Sequence, residues 1–133
     1  MIAVDASAVL AILFREPEGA AFEEFLLRNG GGVISPVNYW EVMVRARAAG
    51  SAGVQIAESI LNRLGVETVS MTPIQARLAV DAHQTFGRGT PARLNLGDCF
   101  AYALAATEGD GLLFKGDDFP RTDVKAALPP SPR

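Results

Sequence analysis

Short apolar runs alternate with longer segments of helical periodicity along the whole chain. The apolar runs predict strands at residues 1–4, 33–35, 66–69 and 112–114. Strands that alternate with helices favour a parallel sheet with helices on both faces. The pattern therefore predicts an α/β fold in one domain over residues 1–128. We expect the Pro-rich tail at residues 129–133 to be disordered.

The segments between the apolar runs carry helix caps and amphipathic stripes. Pro36 and Thr72-Pro73 mark helix starts. Glu41 shares a predicted helix face with Val37, Val44 and Ala48. A carboxylate on an apolar face must be neutralised, paired or metal-bound, because burying an unpaired charge is costly. The predicted helices are residues 8–14 capped by Ser7, 18–29, a helix from Pro36, one that carries Ile56 to Leu64, one from Thr72 to about Phe86, and 98–108.

The composition narrows the possible chemistry. The chain has 133 residues, a net charge of −3, one cysteine and one histidine. An internal disulfide and a His-rich zinc site are therefore excluded. No apolar run reaches the roughly 20 residues of a membrane span, and no basic segment precedes the first strand, so we expect a cytoplasmic protein. The acidic charge argues against a protein that coats nucleic acid, but not against a nuclease that recruits a metal.

Acidic residues stand where the predicted strands end. Asp5 follows the first strand, Glu41 lies on the helix after the second, Asp98 is at a helix start, and Asp117 and Asp118 follow the last strand. Because the carboxyl ends of parallel strands line one crevice, we expect these carboxylates to meet there. Carboxylates without clustered His or Cys favour Mg²⁺ or Mn²⁺. Such an ion assists the attack of water on a phosphodiester.

Each of these acidic residues also has a purely structural interpretation. Asp5 can turn or cap the chain after a strand, and the two acids after the last strand can belong to an ordinary turn. Asp98, in a first helical turn, gains from the helix dipole. Glu41 can pair with Arg45, one helical turn further on. The metal-site hypothesis depends on all the acids together.

Several other site types do not match the sequence. Asp5 stands alone where a receiver domain has paired acids, and residues 5–9 do not form the Asp-x-Asp-x-Thr of haloacid-dehalogenase-type phosphatases. Gly87-x-Gly89 lacks the Lys-Ser/Thr of a phosphate loop. His83 lies in mid-helix, so no Ser-His-Asp set is available.

Four stretches of the chain resemble PIN-domain proteins, and closely resemble the VapC-type ribonuclease toxins of bacterial type II toxin–antitoxin pairs. In chain order they are Ile2-Ala3-Val4-Asp5-Ala6-Ser7-Ala8, Ser35-Pro36-Val37-Asn38-Tyr39-Trp40-Glu41, residues 91–105 with Asn95-Leu96-Gly97-Asp98-Cys99, and residues 112–119 followed by Thr122-Asp123. The order and spacing of all four make the resemblance specific. It implies a PIN-like α/β/α sandwich with a central parallel sheet.

The resemblance also implies roles for single residues. The implied acidic site combines the carboxylates of Asp5, Glu41, Asp98 and Asp117, with Asp118 as the alternative to the last. Asp5 and Asp98 are the expected ligands of Mg²⁺, for which Mn²⁺ can substitute. Ser7 and Asn95 either orient these carboxylates or cap helices.

The function implied by the resemblance is that of a Mg²⁺-dependent endoribonuclease toxin. Such a toxin cuts tRNA or ribosomal RNA by metal-activated water and is neutralised by a VapB-type antitoxin. A homodimer is expected, with higher hetero-oligomers when the antitoxin binds. The apolar helix surface from Val9 to Phe14 and from Phe22 to Leu27 is either an antitoxin contact or simply core. The alternatives are a catalytically inactive PIN-like module that binds RNA or protein, and a DNA nuclease of similar geometry.

Overall fold

The computed structural model describes residues 1–129 of the chain. Within them, four strands form one sheet in which all neighbouring strands are parallel. The strands are β1 (Ala3–Val4), β2 (Gly32–Ile34), β3 (Val66–Thr68) and β4 (Leu112–Leu113), in the spatial order β3-β2-β1-β4. Each apolar run predicted as a strand is a strand, with ends that differ by one or two residues.

The helices of the described chain follow the predicted order. They are α1 (Ala6–Leu13), α2 (Gly19–Asn29), α3 (Pro36–Ala48), α4 (Gly53–Arg63), α5 (Pro73–Phe86), α6 (Leu96–Glu108) and a 3₁₀ helix at Phe119–Arg121. Two of them begin earlier than predicted, α1 at Ala6 and α6 at Leu96. The reason is the same in both, since Asp5 and Asn95 are the N-caps and allow helical geometry to start at the next residue.

The strands supply side chains to two separate cores. Val4, Ile34 and Leu113 belong to a first core, which α1, α2, α3 and α4 cover. The preceding residue of each of those strands, as in Ala3 and Leu112, belongs to a second core covered by α5 and α6. Successive strand residues point to opposite faces of a sheet, which explains the division. The three layers confirm the predicted α/β/α sandwich with a central parallel sheet.

The buried face of α3 is not the predicted one. The buried residues are Asn38, Val42, Met43 and Ala46, whereas Val44 is 41% exposed and Ala48 is exposed. Glu41 is half-buried at the border between the two faces. The prediction failed because the stripe through Asn38 packs inwards instead, and the polar atoms of Asn38 are hydrogen-bonded inside the protein.

The apolar surface of α1 and α2 is mostly core. Val9, Ile12, Phe22 and Leu26 are each no more than 8% exposed and belong to the first core. The ends of the two helices differ, since Phe14 is 40% exposed at the C-cap of α1 and Leu27 is 55% exposed. The core interpretation of this surface is therefore correct for most of its residues.

The end of the described chain pairs with the sheet. Leu112 forms a parallel bridge with Ala126, in which its N–H donates to Lys125 O and its carbonyl accepts from Ala127 N–H, both at 2.9 Å. The tail predicted to be disordered comprises residues 129–133. All of it except Pro129 lies outside the described residues. Within residues 1–129, every helix is too short or too polar to span a lipid bilayer.

Candidate active site

Asp5 joins the carboxyl end of β1 to the first turn of α1. Its side chain is buried, and Oδ2 accepts hydrogen bonds from Ser7 N–H at 3.0 Å and from Ser7 Oγ at 2.5 Å. Ser7 Oγ in turn accepts from Lys115 N–H at 3.0 Å, just beyond β4. Asp5 is therefore the cap of α1, and the prediction that Ser7 caps this helix is wrong. Ser7 instead orients the Asp5 carboxylate and ties it to the end of β4.

Glu41 is held on α3 by the neighbouring turn of the same helix. Asn38 Nδ2 donates to Glu41 Oε1 at 2.8 Å. The alternative of an ion pair with Arg45 is not what the structure shows, because the Arg45 guanidinium lies 5.7 Å from the centre of the Phe14 ring. The Glu41 carboxylate also packs directly against Gly97, where a Cβ atom would overlap both of its oxygens. Glu41 therefore reaches the start of α6.

Asp98 lies in the first turn of α6, within a capping box. Asn95 Oδ1 accepts from Asp98 N–H at 2.8 Å, and Asp98 Oδ2 accepts from Asn95 N–H at 3.0 Å. The side chain of Asn95 thus caps the helix, and its main-chain N–H holds the Asp98 carboxylate. The reciprocal bonds leave the carboxylate partly buried at the N-terminus of α6.

The carboxylates of Asp5, Glu41 and Asp98, here called the acidic site, act on one another electrostatically. Burial raises the pKa of Asp5 to about 6, the Ser7 hydrogen bonds oppose this rise, and the charge of Glu41 adds to it. Burial followed by the charge of Asp5 raises the pKa of Asp98 to about 6. Burial also raises the pKa of Glu41, where the charge of Asp98 adds to the effect and the Asn38 hydrogen bond opposes it. A divalent cation would relieve this repulsion.

Asp117 and Asp118 are exposed on the loop between β4 and the 3₁₀ helix. The charge of Asp118 contributes to the raised pKa of Asp98, after burial and the charge of Asp5. Asp118 therefore acts on the acidic site through space. The assignment of the fourth acid to Asp117, with Asp118 as its alternative, stays a prediction.

The sequence model of the PIN domain matches residues 2–125. The matched region contains every strand and α-helix described above and all the acidic residues of the predicted site. This chain belongs to the PIN-domain family.

This PIN domain is similar over almost its full length to proteins named VapC ribonucleases. Ribonuclease VapC42 of Mycobacterium tuberculosis is 37% identical over 127 residues, which cover 93% of this chain and 97% of the relative. Ribonuclease VapC30 of the same organism is 38% identical over 130 residues, with 95% and 98% covered. Ribonuclease VapC28 is 37% identical over 128 residues, with 94% and 96% covered. The resemblance to VapC-type ribonucleases is therefore confirmed.

The acidic site of this PIN domain offers a metal only oxygen ligands. Among residues 1–129, no three His, Cys, Asp or Glu side chains come close enough together to hold one ion between them. The donors still fit Mg²⁺ or Mn²⁺, because Mg²⁺ keeps several waters and is commonly held by one or two carboxylates. Asp5 and Asp98 suit this arrangement, since the charge of Asp5 already destabilises the ionised form of Asp98.

Two residues at the acidic site had no predicted role. Asn38 bonds Glu41, and Gly97 makes space for the Glu41 carboxylate. Both lie in stretches that resemble the family, and both carried a usable signal. Asn38 stands three residues before Glu41, on the same side of a helix. Gly97 is a poor helix former in a helical turn, which indicates a packing reason.

Proposed function

We propose that this PIN domain is a Mg²⁺-dependent endoribonuclease and the toxin of a toxin–antitoxin pair. The observation that carries the proposal is the coupling of Asp5, Glu41 and Asp98, each of whose pKa values is raised by burial and by another member's charge. Carboxylates perturbed in this way cluster at functional sites. The names of the relatives support RNA as the substrate, and tRNA or ribosomal RNA is the proposed target.

Asp5 and Asp98 would hold the ion, with Mn²⁺ able to replace Mg²⁺. When bound, the ion supplies positive charge to the phosphodiester and makes water more acidic. Ser7 and Asn95 keep the two carboxylates in place through the hydrogen bonds described above.

Glu41 is the proposed base. Its pKa is raised, and Asn38 engages one carboxylate oxygen, so the group is oriented and able to take a proton. The water oxygen bonds to phosphorus, Glu41 accepts the proton, the P–O bond to the leaving nucleotide breaks, and the leaving oxygen is protonated by solvent. Asp117 or Asp118 completes the site from its exposed edge.

A partner chain is also part of the proposal. Trp40 is 64% exposed next to Glu41 along the chain, and Leu96 is 67% exposed two residues before Asp98. Exposed apolar side chains mark a surface that binds another protein when they form a contiguous patch. We propose that a second copy of this chain and a VapB-type antitoxin cover such surfaces, and that the protein acts in the cytoplasm.

Cleavage of total cellular RNA by purified, antitoxin-free protein tests the proposed function. We expect discrete fragments in Mg²⁺ that disappear in EDTA and in Asp98→Ala. The matched control is Asp81→Ala, which removes an exposed carboxylate of α5 and should leave the fragments unchanged. Mapping the fragment ends then identifies the target.

Two results would contradict the proposal. No fragments from the wild type in either Mg²⁺ or Mn²⁺ would favour a PIN-like module that binds RNA or protein without cutting. Fragments that persist in Asp98→Ala would come from a contaminant or from a different active site.

A further inference from the structure

Asn38 is fully buried, at 0% exposure, although its side chain is polar. Its Oδ1 accepts from Ser35 Oγ at 2.7 Å, and its Nδ2 donates to Glu41 Oε1 at 2.8 Å and to Gly97 O at 3.0 Å. A primary amide has two N–H donors, so both are used. Buried polar groups are stable only with their hydrogen bonds made, and this one is fixed by three partners. Asn38 therefore has a single orientation in the described structure.

The three partners of Asn38 lie on different elements. Ser35 follows β2 and caps α3, Glu41 lies one turn along α3, and Gly97 lies in the first turn of α6. The bond to Gly97 spans 59 positions of sequence. Gly97 directly precedes Asp98, so one amide connects the residue beside Asp98 with the carboxylate of Glu41.

The Glu41 carboxylate is confined from two sides. Asn38 donates to Oε1, and the Gly97 backbone closes the other side so tightly that a Cβ atom would overlap both oxygens. Glu41 itself is only half-buried. Without the Asn38 amide, a flexible glutamate at such a position can rotate towards water, where its charge is better solvated.

We propose that Asn38 is a positioning residue of the acidic site, which holds the Glu41 carboxylate and the start of α6 in a fixed relation. The inference rests on the proposed function, because it places Glu41 in RNA cleavage. Asn38 acts only through Glu41 and Gly97 and does not touch the phosphodiester. Its loss therefore lowers kcat and leaves the KM for RNA nearly unchanged.

The first test compares two buried amides. Asn38→Ala removes the amide at the acidic site, whereas Gln75→Ala removes a buried amide of α5 that bonds Thr72 and Thr107. With an RNA oligonucleotide that contains a mapped cleavage site, we expect Asn38→Ala to lower kcat about 10- to 100-fold, as for other residues that orient a site. Gln75→Ala should lose stability without this loss of kcat. Equal kcat losses in the two variants would overturn the proposal.

A double-mutant cycle with Glu41→Gln separates positioning from general structural damage. If Asn38 acts through Glu41, adding Asn38→Ala to Glu41→Gln has little further effect on kcat, because the group that it orients no longer takes a proton. If Asn38→Ala slows both backgrounds by the same factor, Asn38 is merely structural and the proposal fails. Thermal unfolding followed by circular dichroism identifies a temperature at which all variants are folded, and kcat is measured at that temperature.

A measurement on the metal-free wild type does not depend on any variant folding or on cleavage. Side-chain amide hydrogen exchange by NMR should show the Asn38 protons exchanging about 100-fold more slowly than those of exposed Asn62. Equal exchange would mean that Asn38 does not hold Glu41. A wild type that cuts no RNA would contradict the proposed function alone, while the exchange result would still test whether the Asn38 amide makes the hydrogen bonds through which it holds Glu41 and Gly97.

Discussion

The Glu41 carboxylate lies in the space that a methyl group on residue 97 would occupy. Gly97 is a helical residue of α6 without a left-handed backbone, so alanine is compatible with its conformation. The atoms in the way of a Cβ are those of the Glu41 carboxylate, at the far end of a flexible side chain. A methyl group at this position can therefore displace the carboxylate while the backbone stays in place.

Gly97→Ala should separate activity from stability. We expect the free energy of unfolding to change by less than about 1 kcal/mol, because the gain of alanine over glycine in a helix offsets the loss of the Asn38–Glu41 hydrogen bond. RNA cleavage should fall about 10-fold or more, since Glu41 is pushed from its position. Urea unfolding and kcat on an RNA oligonucleotide measure the two effects.

Gly89→Ala is the matched control for this substitution. A Cβ at Gly89 meets nothing within 4 Å, so neither stability nor cleavage should change much. Full activity in Gly97→Ala would show that the position of Glu41 does not matter for cleavage.

Single residues also show the limit of what the sequence predicts. The positions of Asp5, Glu41 and Asp98 follow from strand ends and from the resemblance, and the structure brings these three side chains into electrostatic contact. The role of Asn38 depends on the Gly97 carbonyl, 59 positions away along the chain. No local pattern reports a contact of that kind.

At the scale of elements, α6 and α5 begin in the same way but with different consequences. Both have a capping box, Asn95 with Asp98 on α6 and Thr72 with Gln75 on α5. On α6 the box includes a carboxylate of the acidic site, and on α5 it includes an amide that is distant from that site. A comparison of the two capping boxes therefore distinguishes the effect of losing a helix cap from an effect on the acidic site.

Asn95→Ala and Thr72→Ala should each cost about 1 kcal/mol of unfolding free energy, since each removes an N-cap side chain. Only Asn95→Ala should also slow RNA cleavage, because it removes the side-chain oxygen that accepts from the Asp98 backbone N–H and so loosens the helical turn that carries the Asp98 carboxylate. Thermal unfolding and cleavage assays on both variants check this. Equal cleavage by the two variants would mean that the cap of α6 does not position Asp98.

The elements show why some patterns predict well and others do not. Thr72-Pro73 predicts the start of α5 correctly, because a cap acts within one helical turn. The prediction of the buried face of α3 was wrong, because two stripes of that helix carry apolar residues. The choice between the two stripes depends on the helix that packs against them. The half-buried Glu41 and the buried Asn38 follow from the contact with α6.

At the scale of the whole molecule, the acidic site makes the metal-free protein sensitive to pH. Burial raises the pKa of Asp5 from 3.8 to about 6, so the folded state binds its proton more tightly than the unfolded chain does. The stabilisation by this proton is complete below about pH 4 and is lost as the pH rises through about 6. The raised pKa of Asp98 acts in the same direction.

Asp5→Asn should therefore stabilise the protein relative to the wild type in a pH-dependent way. In EDTA, we expect the difference in unfolding free energy to grow by about 1–3 kcal/mol between pH 4.5 and pH 7.5. Urea unfolding at both values measures it. Asp81→Asn, at an exposed position of α5, controls for the loss of one charge. If the difference in unfolding free energy is the same at both pH values, the pKa of Asp5 is not raised in the folded protein.

The strands of this PIN domain are very short, and β1, β2 and β4 each alternate between the two cores. β1 consists of Ala3, which packs in the second core, and Val4, which packs in the first. Neither core can loosen without disturbing the backbone that the other needs, so the two cores melt as one cooperative unit. Because Asp5 directly follows β1, a perturbation of its carboxylate is transmitted to the melting of the entire fold.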